Sequence, residues 1–114
     1  MNRVKEINLE AGLPSSVEAL NNLKKTLENL NGSDVVALKI IHGYGSTGKG
    51  GKIRVHVRAY LKKALLNGEI KGLIFGEEFS IFDEGTRKSF ELCPPLRKDP
   101  DLDRHNNGVT FVLL

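Results

Sequence analysis

The sequence predicts a two-layer α/β sandwich, a β-α-β-α-β core followed by a C-terminal strand. Three observations carry that prediction. Apolar residues recur at three- and four-residue spacing in two stretches, as the buried stripe of a helix does. Short β-branched runs stand before and after each stripe. Glycine and asparagine–glycine steps mark the joints between them. Strand, helix, strand, helix, strand implies parallel pairing through right-handed crossovers, with both helices on one face of the sheet. A chain of 114 residues fits one domain spanning 1–114, and such a chain can bury a core without staples.

Each element has its own local reason. Arg3 to Leu9 alternates, with Val4, Ile7 and Leu9 as its apolar members, and reads as the first strand. Ala11-Gly12-Leu13-Pro14 breaks it, and Ser15 with Glu18 forms a capping box that opens a helix. Val17, Leu20, Leu23, Leu27 and Leu30 are the stripe that helix buries. Asn31-Gly32 stops it. Val35 to Ile41 is nearly all apolar, as a strand deep in a sheet is. After a glycine-rich loop, Ile53, Val57, Tyr60, Leu61, Ala64 and Leu65 mark one face of a second helix, ended by Asn67-Gly68. Ile70 to Phe75 is a third strand and Val109 to Leu114 the last. Between them, residues 77–107 read as an insertion. Asp83 caps a short helix over Glu84 to Leu92 there, Pro94-Pro95 ends it, and the charged remainder is expected to wrap the surface.

Bulk composition excludes several classes. A hydrophobic fraction of 39% and a charged fraction of 27% are those of a globular chain. The lone Cys93 rules out an internal disulfide framework. Charges at Arg3, Lys5, Glu6, Glu10 and Glu18 argue against a signal peptide, and no run approaches the roughly 18 apolar residues of a membrane span. A cytoplasmic protein with no membrane partner, monomeric by preference, is the expectation.

The net charge is only +3, but its distribution is uneven. No acidic residue falls between Asp34 and Glu69, whereas Lys39, Lys49, Lys52, Arg54, Arg58, Lys62 and Lys63 all do, along with His42 and His56. Such segregation builds a local positive field, the footprint of a nucleic-acid binder. A solvated helix face with lysines for solubility is the plainer alternative.

The loop from His42 to Gly51 invites three readings. Gly43, Gly45 and Gly48 satisfy a dinucleotide fingerprint, but no acidic residue ends a strand about twenty residues on. Gly43, Gly48 and Lys49 approach a P-loop, yet Gly50 stands where the magnesium-holding hydroxyl belongs. The third reading keeps the physics without the nucleotide. A glycine loop feeding a helix start offers backbone N–H groups and the positive end of a helix dipole to a phosphodiester. Lys49 and Lys52 sit at its mouth, with Arg54 and Arg58 beyond. His42 supplies a group able to move a proton near neutral pH, or else hydrogen-bonds the loop backbone to hold its shape.

Ile41-His42-Gly43-Tyr44-Gly45, then Gly50-Gly51-Lys52-Ile53-Arg54 with Val57 and Leu61 beyond, resembles the signature of the small MutS-related (Smr) family. Ile7-Asn8-Leu9-Glu10 with Gly12-Leu13 resembles the family's first motif, and Asn107-Gly108-Val109-Thr110-Phe111 its closing strand. The resemblance implies an α+β fold with a small mixed sheet, similar to the C-terminal domain of translation initiation factor three. It also implies DNA or RNA binding, with endonuclease (hydrolase) activity in some members. The nucleic-acid-binding residues it implies are Gly43, Tyr44, Gly45, Lys49, Gly50, Gly51, Lys52, Arg54 and Arg58. His42 and Glu10 are the catalytic candidates, with Mg²⁺ as the cofactor if the domain cuts and no metal ligands assigned. The family's first motif reads Leu-Asp-x-His-Gly, whereas this chain has Asn8 and Glu10 at the aspartate and histidine positions, which would blunt cleavage. A non-catalytic module that docks on a ribosome or a protein partner through the insert is the alternative. With only Tyr44, and Tyr60 on the second helix, available to stack a base, backbone or shape recognition rather than base reading is expected.

Overall fold

The computed structural model describes residues 3–12, 14–44 and 50–114. Four strands, β1 (Arg3–Asn8), β2 (Val35–Ile41), β3 (Gly72–Phe75) and β4 (Val109–Leu113), form one sheet in the order β1-β2-β4-β3. The helices are α1 (Ser16–Leu30), α2 (Gly50–Leu66) and α3 (Glu84–Leu92). β1 runs parallel to β2, as the intervening helix requires. β4 is antiparallel to both β2 and β3 and lies between them, so the sheet is mixed and β3 does not touch β2. β4 is buried along its whole length, as the middle of a covered sheet demands.

The local signals act as expected. Ser15 caps α1 by accepting from the Glu18 N–H at 3.2 Å, and the Glu18 carboxylate reaches back to the Ser15 N–H. Gly32 and Gly68 take left-handed φ angles of 79° and 75° just past α1 and α2, where a side chain would be strained. Asp83 accepts from the Thr86 N–H at 2.9 Å and opens α3. Leu20, Leu23, Leu27 and Leu30 of the expected α1 stripe pack on the core, and only Val17 departs from it. Val17 is 66% exposed, while Ala19 and Leu23 are fully buried.

Two cores flank the sheet. On one face Leu23 of α1 and Ile53, Val57 and Leu61 of α2 pack on Leu38, Ile40 and Val112, so these two helices do share a face. The opposite face is covered by the insert, and here the structure corrects the expectation of a surface wrap. Phe79, Phe90, Cys93 and Leu96 are buried against Ala37, Ile74, Val109 and Phe111. Phe79 stacks on Phe111 with ring centroids 4.2 Å apart and meets Phe90 edge-on at 6.2 Å. A sheet whose strands alternate apolar residues to both faces must bury both, and the insert supplies the second cover.

Lys39 is a second correction. Counted by sequence among the basic residues of 35–68, it points into the insert-covered face with its side chain 6% exposed. Its ammonium lies 2.6 Å from Asp101, 3.0 Å from Asp99 and 3.9 Å from Glu6. Burial lowers its pKa, but hydrogen bonds and charge from Asp101 and Asp99 win and raise it. It clamps the insert to the sheet and adds nothing to an outward-facing positive surface.

Candidate nucleic-acid interface

β2 delivers His42 to the point where the glycine loop begins. The N–H groups of His42 and Gly43 both donate to the Gly108 carbonyl at 3.0 Å, tying the loop to the entry of β4. Gly43 has φ +75°, and a Cβ there would collide with the Glu10 carboxyl group. The left-handed backbone angle is what favours glycine here, since the Glu10 carboxyl is the movable end of a flexible side chain. Two of the motif elements named from sequence, Glu10 and His42-Gly43, thus lie side by side. The Asn8 carboxamide oxygen accepts from the Glu10 N–H at 2.9 Å and shapes that turn. Tyr44 is 57% exposed, with its ring against Gly108. Gly45 and Lys49 lie outside the described residues.

His42 is completely buried. Its Nδ1 is 2.7 Å from the Gly43 carbonyl, and its Nε2 is 2.8 Å from the Thr110 hydroxyl. A carbonyl can only accept, so Nδ1 carries the proton and Nε2 accepts from Thr110. Burial, reinforced by the nearby charges of Arg58 and Arg54, pushes the His42 pKa down to about 4. The imidazole is neutral at pH 7 with both nitrogens engaged, which leaves neither a proton to give to solvent nor a lone pair facing it.

The same hydroxyl links outward to α2. Arg58 Nε donates to Thr110 Oγ1 at 3.1 Å, and its two terminal nitrogens donate to the Glu77 carboxylate at 2.8 and 2.7 Å. A further bond runs from Arg58 to the Val109 carbonyl at 3.1 Å, and the guanidinium lies 4.2 Å from the Phe75 ring centroid. Sequence reasoning placed Arg58 on a phosphate; the structure sets it 12% exposed inside a chain running Glu77–Arg58–Thr110–His42–Gly43. The Arg58 pair holds the Glu77 carboxyl below its ordinary range. Glu77 and Thr110 were missed as partners. Thr110 did carry a signal, since a hydroxyl at an inward position of a buried strand needs one.

Of the remaining sequence candidates, Gly50 and Gly51 open α2, Lys52 is exposed, and Arg54 is partly exposed a turn further on. The first turn of α2 carries no acidic residue. Among the described residues no group of three or more His, Cys, Asp or Glu side chains is placed to hold a metal ion. No helix of the described residues is long and apolar enough to cross a membrane.

No family model matches the sequence, and no curated protein does. A comparison with solved structures finds the crystal structure of the Smr domain of Thermus thermophilus MutS2, with a TM-score of 0.57 and 23% identity. The likeness covers 96% of this chain and 96% of that one. At that identity it speaks to fold. The chain has an Smr-like fold.

Proposed function

We propose that the chain is a nucleic-acid-binding domain that grips the phosphate backbone with the glycine loop and the first turns of α2. The observation that carries this reading is the α2 N-terminus: an acid-free first turn with Gly50, Gly51 and Lys52, followed by Arg54, whose charge is felt at the pinned His42. Helix N–H groups and the macrodipole favour an anion there, and the two cations add to that field. His42 acts as the pin of the loop rather than as an acid or base, because it is neutral, buried and bonded at both nitrogens. Any cleavage would fall to Glu10 at the loop, and the domain binds better than it cuts.

Binding of labelled duplex and single-stranded DNA and RNA across a salt series tests the reading. Affinity is expected to fall steeply with salt, and Lys52→Glu with Arg54→Glu to flatten the slope by about 0.9 per lost duplex phosphate contact. A folded double variant with unchanged slope removes α2 from the interface. For the chemistry, Asn8→Asp with Glu10→His restores the motif that the Smr resemblance points to, and the new carboxylate keeps an oxygen for the turn. Nicking gained in that variant and absent in the parent supports a site that lost its groups. Equal cutting by both sinks the claim that Asn8 and Glu10 blunt it.

A second reading has one observation behind it. Phe82 is 85% exposed and Ile81 45% at the turn before α3, a place where a protein partner would find apolar surface. Binding insensitive to salt but lost in Phe82→Ser would favour that module instead.

A further inference from the structure

Arg54, Arg58 and Lys62 are spaced four residues apart on α2, so they form one stripe about 12 Å long. With Val55, Ala59, Phe75 and Glu77 they line a groove of about 450 Å³ beside the loop. Along one strand of a duplex a phosphate recurs about every 3.4 Å of axis, so the stripe passes about three of them. Arg58 is already occupied: its fork is closed by the two oxygens of Glu77, the geometry it would use on a phosphate. Arg54 and Lys62 have no carboxylate partner among the described residues. Lys62 is exposed, with its ammonium 5.4 Å from the Phe75 centroid, and Arg58 lies over the same ring. The groove therefore offers cations on an aromatic floor rather than an open ring for a base.

We propose that this groove is a second phosphate subsite, in which Arg54 and Lys62 take a phosphodiester beyond the loop while Glu77 weakens the site by holding Arg58. It rests on the nucleic-acid reading above and extends it to residues the loop does not include. Glu77 has two effects. Its carboxylate, 38% exposed on the groove wall, repels an incoming phosphate. It also fixes Arg58, and through Thr110 and His42 the Gly43 carbonyl, so the subsite and the loop share one chain of hydrogen bonds. Removing the charge while keeping one of the two hydrogen bonds should then strengthen binding, the opposite of what loss of a structural ion pair alone would do.

Fluorescence anisotropy with short fluorescein-labelled DNA and RNA strands and hairpins of one sequence tests this. Glu77→Gln is expected to bind about three- to tenfold more tightly than the parent, and Lys62→Gln to bind more weakly by a similar factor. Lys62→Gln should also flatten the salt slope by about 0.7–0.9. Phosphate is common to DNA and RNA, so both should respond. Unchanged or weaker binding by a Glu77→Gln variant with a parent-like melting curve overturns the proposal. If Glu77→Gln does not fold, the exposed Lys62→Gln decides alone, and an unchanged slope overturns it. Loss of binding in Lys52→Glu with Lys62→Gln silent removes the subsite and keeps the loop reading; no salt-dependent binding by the parent removes both.

Discussion

Two cations, one buried and one largely covered, stand on opposite faces of the same pair of central strands and live in different kinds of network. Lys39 of β2 is enclosed by Asp99 and Asp101 of the insert, under the Phe111 ring. The charges in that set face one another, and it reaches the loop entry only through neutral groups: Asp101 accepts from the Asn106 carboxamide, whose oxygen accepts from the Gly108 N–H. Arg58 of α2 is paired at one end with Glu77 and at the other, through Thr110, with His42 and the start of the glycine loop. The first network is a clasp that presents no cation to a surface, whereas the second sets its cation on a groove wall and bonds to the loop pin. Both residues are basic positions in one acid-free stretch of sequence, so charge counting treats them alike. Partners, which charge counting cannot see, separate the structural cation from the one coupled to a surface.

The largest expected effect falls on the clasp. Lys39→Ala leaves Asp99 and Asp101 facing one another without their ammonium, and breaking such a buried pair costs about 3–5 kcal/mol. Urea unfolding should show that loss, while nucleic-acid affinity of the folded fraction stays at the parent value. Lys39→Met, which keeps the volume, should lose less if the clasp is chiefly packing. Affinity falling in Lys39→Ala as far as in Lys52→Glu would break the distinction between the two networks.

Next in size is the pH response of the loop pin. The His42 pKa of about 4 lies below its ordinary 6.5, so the unfolded chain binds the proton first as pH falls. Its contribution is complete above pH 6.5 and is lost as pH drops through about 4, in all about 3 kcal/mol. Measured urea midpoints should therefore slope downward over that window in the parent and lie flatter in His42→Gln. A parent midpoint unchanged from pH 7 to pH 5 would show that His42 takes up its proton with no cost to the fold.

Local chemistry made most elements legible from sequence. The Ser15–Glu18 box, the apolar run of β2, the Asn-Gly stops and the Asp83 cap each act within four residues or one strand. The position of β4 between β2 and β3 is non-local, and nothing in Val109–Leu113 states which neighbours it takes. The second core was hidden for a related reason. Phe79, Phe90 and Leu96 follow no helix or strand period, because they come from turns and a short helix folded over a face. At the site, Glu10 and His42 were each legible as candidates, whereas the closeness of Glu10 to Gly43 and the occupation of Arg58 were not. Its partner Glu77 is 19 residues away, and Thr110 lies 68 residues from His42.

The smallest effect, and the one that sharpens the comparison most, concerns Thr110. Valine matches threonine in shape and removes only the hydroxyl, so the strand and both cores should be kept. His42 Nε2 and Arg58 Nε each lose a partner in a buried place, which costs about 1–3 kcal/mol. The Gly43 carbonyl is then held by an imidazole that is itself less firmly placed. No phosphate contact is removed, so Thr110→Val should weaken nucleic-acid binding a few fold with the salt slope unchanged, whereas Lys52→Glu changes affinity and slope together. Positioning and charge are thereby separated in one assay. A variant that loses stability yet binds as the parent does would make the Arg58–Thr110–His42 chain a clasp like that of Lys39, with no hold on the loop.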